Sequence, residues 1–157
     1  MLIRKIKIMF AVAVGIWGLW GGIGNLLGYE GGYGAVKAVL SMSTLSEPAA
    51  YAITNSFLIH LGFAFIWLTK LTGGTLCLLG AKNMWADLET PRDDFQRAKS
   101  FAIAGCAIIL FMLFFGFNFI AANVFMLYQS PMISAVELSW IFAGEIGLIL
   151  IFLNMRD

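Results

Sequence analysis

Residues 101–122 read FAIAGCAIILFMLFFGFNFIAA and contain no charged side chain. A helix needs about 20 predominantly apolar residues to cross the hydrocarbon core of a bilayer, so this stretch predicts a transmembrane helix. The rest of the chain agrees, because 61% of its 157 residues are hydrophobic and only 12% are charged. The mean hydropathy is +0.87. A soluble domain of this length needs more polar surface, so the sequence predicts an integral membrane protein.

Three further apolar stretches are long enough to cross a bilayer, at about residues 8–27, 52–80 and 135–153. No proline falls inside any of the four spans. Pro48, Pro91 and Pro131 each precede a span and lie near a Ser or Thr that can cap a helix, where proline is tolerated. The stretch Thr44-Leu-Ser-Glu47 before Pro48 has the pattern of a capping box and predicts the start of the second helix. We therefore predict an all-α membrane protein, a four-transmembrane-helix bundle that forms a single domain over residues 1–157.

Basic residues are distributed unevenly along the chain. They occur before span one and between spans two and three (Arg4, Lys5, Lys7, Lys82, Arg92, Arg97 and Lys99), whereas Lys37 is alone between spans one and two. No basic residue lies between spans three and four. The positive-inside rule then places both termini in the cytoplasm. The segment 28–51 lies on the outer side in this topology.

Part of the outer segment 28–51 has the spacing of an amphipathic helix. Tyr33, Val36, Val39 and Leu40 recur at helical intervals, with Lys37 on the opposite side. This pattern favours a short helix lying at the membrane interface. A packed loop is the alternative.

The first span is rich in glycine. Gly15, Gly18 and Gly22 form a helix-packing face, because residues three and four apart lie on the same side of a helix. Small residues at such spacing let a second helix approach closely. The sequence alone leaves open whether that helix belongs to this chain or to a partner.

Two charged side chains lie inside predicted spans, Lys70 in span two and Glu145 in span four. A charge at the bilayer centre costs about 3 kcal/mol or more, so it normally faces a partner or a water-filled cavity. Their depths, counted from the cytoplasmic ends of the spans, differ by about 5 Å. We predict an intramembrane ion pair. A relay or ion path through this pair, snorkelling, neutralised groups and pairing with another subunit are the alternatives.

His60 in span two and Asn118 in span three are the remaining candidates for a polar site. One histidine is a poor basis for haem, which needs two axial ligands in its low-spin b-type form, and no His, Cys and carboxylate cluster predicts a metal site. Cys77 and Cys106 fit helix packing. The residues of the spans assemble no nucleophile and base, so we predict neither an enzyme nor a cofactor. The stretch 111–125 is rich in phenylalanine, and a quinone-binding groove along it is an alternative.

Four features together resemble the bacterial family of predicted small integral membrane proteins called DUF2165. They are Asn25 at the end of span one, the stretch Val39-Leu-Ser-Met42, Phe95-Gln-Arg-Ala-Lys99 entering span three, and Met126-Leu-Tyr-Gln-Ser130 before span four. Their order and spacing cover most of the chain. The resemblance implies a four-helical protein of the bacterial inner membrane and implies no activity.

The chain departs from the family pattern at three positions. Ser43 stands where the family has an acidic residue, and Lys70 stands where it favours an acidic residue in span two. Glu145 lies near the place where the family tends to have an arginine. An ion pair with the signs exchanged would reconcile the last two departures.

Three functions are compatible with these observations. The first is an accessory subunit that packs against other membrane proteins or self-associates, because the chain has glycine-rich helix faces and little soluble mass. The second is a small transporter or channel that uses Lys70, Glu145 and Asn118. The third is a haem- or quinone-associated subunit that uses His60. The lipid bilayer is an expected partner in each case, and the mixed charges of residues 87–94 argue against nucleic-acid binding.

Overall fold

The secondary structure, taken from a computed structural model that describes residues 1–156, is helical and contains no strand within that range. In chain order the elements are α1 (Leu2–Leu27), α2 (Tyr29–Leu40), α3 (Ser56–Ala86), α4 (Arg92–Ala98), α5 (Ser100–Phe111), a π-helix (Met112–Val124), a 3-10 turn (Leu127–Gln129) and α6 (Ser134–Asn154). Asp157, the last residue of the predicted domain, lies outside the described residues.

Four helical stretches are long and apolar enough to cross a membrane: Leu2–Leu27, Ser56–Ala86, Arg92–Val124 and Ser134–Asn154. They confirm the prediction of a four-transmembrane-helix bundle. The third stretch joins α4, α5 and the π-helix. At 1.5 Å per residue, the 31 residues of α3 extend about 46 Å, which exceeds the hydrocarbon thickness of about 30 Å. The second span therefore projects beyond the membrane or tilts within it.

Helix α3 is the centre of the bundle, because it packs extensively against both α1 and α5. Helix α6 packs against α5 and the π-helix, and only lightly against α1. The main core consists of apolar side chains from α1, α3, α4, α5 and α6, among them Cys77, Met84, Phe95 and Ile109, which are fully buried.

Glycines let α3 and α5 approach at backbone distance. A Cβ atom added to Gly105 would lie 2.5 Å from the Gly73 carbonyl oxygen, and one on Gly80 would overlap the backbone of Ala102. The buried thiols of Cys77 and Cys106 lie in the same interface, with their sulfur atoms 3.7 Å apart. No side chain larger than a hydrogen atom fits at Gly105 unless the two helices separate.

Helix α3 begins later than the sequence predicted. The stretch Thr44–Glu47 was expected to cap the second span, but it forms turns. Asn55 caps the helix instead, because its side chain accepts hydrogen bonds from Phe57 N at 2.9 Å and Leu58 N at 3.3 Å. An Asn immediately before the first helical residue is an equally good cap, so the capping signal at residues 44–47 was assigned to the wrong helix start.

One end of the bundle carries both chain termini, and we call it the terminal end. Basic side chains there form hydrogen bonds to backbone carbonyls of other segments. Arg4 donates from Nη1 to the carbonyls of Leu88 at 2.9 Å and Thr90 at 2.8 Å. Lys7 and Lys99 are buried and both donate to the carbonyl of Met155, just beyond α6. Cations at a helix C-terminus interact favourably with its dipole, so these residues stabilise the bundle.

Candidate functional site

The glycine face of α1 is used inside the chain. Added Cβ atoms would meet Leu78 Cδ2 at 2.6 Å from Gly15, Gly74 Cα at 2.9 Å from Gly18, and Leu71 Cδ2 at 2.6 Å from Gly22. The face therefore packs against α3, so the second helix that the glycine spacing predicted belongs to this chain. Close backbone contact with α3 already covers the face.

Lys70 lies between α1 and α3. Its Nζ atom is 5.8 Å from the centre of the Trp17 ring, which is a cation–π distance. Its side chain packs beside Gly21, where an added Cβ would be in ordinary van der Waals contact, 3.6 Å from Nζ. Within residues 1–156 the ammonium group has no carboxylate partner and no hydrogen-bond acceptor, so it stands without an anion.

Glu145 lies near the midpoint of α6 and is exposed at the surface of the bundle. The ion pair expected between Lys70 and Glu145 does not form in the described chain. Helices α3 and α6 are not direct neighbours in the packing, and the side chain of α6 next to Trp17 is Phe142, at 5.0 Å between ring centres. The depth estimate placed the two charges at similar levels but could not give the rotation of either helix.

Glu145 belongs to a continuous exposed stripe on α6. The stripe, which we call the Glu145 face, consists of Ile141, Gly144, Glu145, Leu148 and Ile151, all exposed. Leu148 and Ile151 are 70% and 64% exposed. An added Cβ on Gly144 would meet no atom within 4 Å. Apart from Glu145, this surface suits lipid or another apolar helix.

Asn118 joins the π-helix to α6. Its side-chain oxygen lies 2.9 Å from the hydroxyl of Ser139, which is also 2.7 Å from the carbonyl of Val136. Its backbone carbonyl accepts a hydrogen bond from the side chain of Asn123. These partners account for Asn118 as a structural residue within the membrane.

His60 on α3 contacts two tyrosines of α2. Its Nδ1 atom is 2.8 Å from the hydroxyl of Tyr29, and its ring stacks on Tyr33 with 4.3 Å between centres. The contacts favour a structural histidine over a haem ligand. No group of three or more His, Cys, Asp and Glu side chains in residues 1–156 could hold a metal ion.

The third span changes from an α-helix to a π-helix at Met112. Bonding from residue i+5 to residue i continues to its end, where Phe125 N donates to the Ile120 carbonyl at 3.0 Å. π-Helical turns are rare and occur often near functional sites. This segment forms one wall of a cavity of about 260 Å³ that also contacts α1, α2, α3 and the start of α6.

Comparison with known protein families gives a match over nearly the whole chain. The family model described as "Predicted small integral membrane protein (DUF2165)" matches residues 3–156. The chain belongs to the DUF2165 family. The match includes all four spans of the DUF2165 protein, in agreement with the resemblance found in its sequence. Comparison with curated proteins and comparison with solved structures each gave no match.

Sequence reasoning on this DUF2165 protein missed the surroundings of both charges. The sequence assigned no role to Trp17, although its ring faces the Lys70 ammonium group at 5.8 Å. Trp67, three residues before Lys70, has a buried indole N–H without an acceptor in the described part of the chain. The i, i+3 spacing of Trp67 and Lys70 was a usable signal, because it places two donors on one side of a helix.

Proposed function

We propose that this DUF2165 protein is an accessory subunit of the bacterial inner membrane, without catalysis of its own, and that it assembles with another membrane protein through the Glu145 face. The observation that carries this proposal is an exposed carboxylate near the middle of a membrane-spanning helix. An intramembrane acidic residue is normally directed at a partner or an aqueous cavity. Glu145 has neither a basic partner nor a hydrogen-bond donor in residues 1–156.

The surroundings of Glu145 fit a helix better than lipid. Gly144 leaves the backbone open beside the carboxylate, and small residues allow close helix approach in membranes. Ile141, Leu148 and Ile151 flank it with apolar area at intervals of three and four residues, the spacing that an approaching helix contacts. A neighbouring helix would cover the carboxylate and remove the cost of about 3 kcal/mol of leaving it in the hydrocarbon core.

The charge of Glu145 indicates the kind of partner. In a symmetric pair of this chain, two Glu145 carboxylates would face each other, and like charges disfavour ionisation of both. The only basic residue in the middle of any span is Lys70, which lies beside Trp17 between α1 and α3. A second copy therefore offers no exposed cation at this depth. We infer a different protein whose transmembrane helix carries a basic side chain.

Site-specific photo-cross-linking along α6 tests this proposal. A photoreactive amino acid at Ile141, Leu148 or Ile151 should give one and the same cross-linked product in native membranes. Matched positions exposed on other helices, Ile16 on α1 and Phe114 on the π-helix, should not give it. Glu145→Gln should abolish the product at all three positions. Equal cross-linking from all faces, or a product unaffected by Glu145→Gln, would contradict an assembly surface on α6.

The proposed topology places the terminal end in the cytoplasm and α2 outside. In a variant lacking Cys77 and Cys106, single cysteines at the exposed positions Ser46 and Gln129 should react in intact cells with a thiol reagent that cannot cross the membrane. A cysteine at Asp93 should react only after the cells are opened. Labelling of position 93 from outside would reverse the topology.

The transporter alternative loses its main support in this geometry, because Lys70 and Glu145 do not form a shared path. The haem alternative is weakened in the same way, since His60 already contacts Tyr29 and Tyr33.

A further inference from the structure

An apolar cavity with a volume of about 260 Å³ lies between the helices of this protein. Its walls come from α2, α3, the π-helix and the turn before α6, and include Val36, Phe63, Phe117 and Leu127. Ligand sites for small molecules are typically apolar clefts of roughly 300–1,000 Å³ with a few placed polar groups. The volume of this cavity is just below that range.

Two polar side chains line this cavity, Asn25 from α1 and Lys70 from α3. Asn25 lies one helical turn beyond Gly21, the residue of α1 beside the Lys70 ammonium group. Trp67 adds a buried indole N–H without an acceptor in residues 1–156, three residues before Lys70. The region thus holds hydrogen-bond donors and a positive charge but no carboxylate.

A lone ammonium group inside a membrane protein lacks the anion that would offset its desolvation. The face of Trp17 stabilises it in part. Charge-assisted hydrogen bonds to a carboxylate are about twice as strong as neutral ones, so an anion at Nζ completes the surroundings of Lys70. Glu145, the nearest acidic residue in depth, is on the outer face of α6 and cannot supply that anion.

We propose that the cavity binds a single-chain fatty acid, with its carboxylate at Lys70 and its acyl chain along the apolar walls. The single cation matches the single negative charge of a fatty acid. Apart from Asn25 and Lys70, the side chains that line the cavity are apolar and suit an acyl chain. The phosphate of a bilayer phospholipid lies at the membrane surface, whereas Lys70 lies well inside the second span. This proposal is independent of the Glu145 face.

Binding of tritiated palmitate to the full chain in phosphatidylcholine nanodiscs tests the proposal, with uptake by protein-free nanodiscs subtracted. We expect about one palmitate per chain, an affinity at least about tenfold lower for Lys70→Met, and recovery with Lys70→Arg. Lys37→Met removes the same charge from an exposed position on α2 and should leave binding unchanged. Hexadecanol, which has the chain without the charge, should compete at least about tenfold less well.

Ala121→Phe provides a second test that keeps Lys70, because it fills the cavity from the π-helix wall. It should abolish palmitate binding while the thermal unfolding temperature stays close to that of the unmodified protein. Unchanged binding in both Lys70→Met and Ala121→Phe would overturn the proposal. Equal competition by hexadecanol would show that no anion is recognised, and displacement of palmitate by phosphatidylglycerol at equal concentration would assign the site to a phospholipid; either result overturns it.

Discussion

Gly105→Leu is expected to lower the free energy of unfolding by about 3 kcal/mol, the upper end of the usual cost of overpacking. An added Cβ would lie 2.5 Å from the Gly73 carbonyl oxygen and 2.8 Å from Cys77 N. Both atoms belong to the backbone of α3, so no rotamer change relieves the overlap. The two helices must separate, and contacts of buried residues in this interface such as Ile109 and Cys106 are lost with them.

The buried thiols at the same interface provide the measurement. Cys77 and Cys106 are inaccessible in the folded bundle, so their reaction with a thiol-sensitive dye during heating in detergent reports unfolding. Gly24→Leu is the matched control, because a Cβ there meets nothing within 4 Å. We expect the unfolding temperature to fall sharply for Gly105→Leu and to change little for Gly24→Leu. Equal unfolding temperatures would mean that α3 and α5 do not pack through Gly105.

The four spans were predictable because hydropathy depends only on the order of residues along the chain. Each predicted span lies within one of the four observed helical stretches, except that the second was placed at residues 52–80 and begins at Ser56. The helix start moved because Asn55, not Thr44, provides the cap. The π-helix could not be told from an α-helix in the sequence, since residues 112–124 are predominantly apolar like the α-helix before them.

The candidate site was predictable only in part. The sequence singled out Lys70 and Glu145 as unusual, and neither has an ion-pair partner within residues 1–156. The predicted ion pair between them was wrong because residue counting gives only the depth of a side chain in the membrane. The side of the helix on which it lies depends on which helices are neighbours. The same limit applies to Gly18, whose spacing indicated close packing but did not say that Gly74 of this chain is the neighbour.

Glu145→Gln is expected to have the second large effect, on assembly instead of folding. It preserves the shape of the side chain and removes its charge. If a basic residue of the partner faces Glu145, its loss leaves that cation buried without a counter-charge, which typically costs 2 kcal/mol or more, or about thirtyfold in affinity. The isolated chain should unfold at an unchanged or slightly higher temperature, because its exposed charge is gone.

The most direct test of the accessory-subunit account is the amount of partner that co-purifies with the tagged protein from native membranes in mild detergent. We predict one membrane protein in a fixed ratio to the tagged chain, with a basic residue inside one of its spans. Its yield should fall by at least about tenfold for Glu145→Gln and stay unchanged for Glu137→Gln, the same substitution in the first turn of α6. A protein that purifies alone, or a partner yield equal in the two variants, would contradict the account.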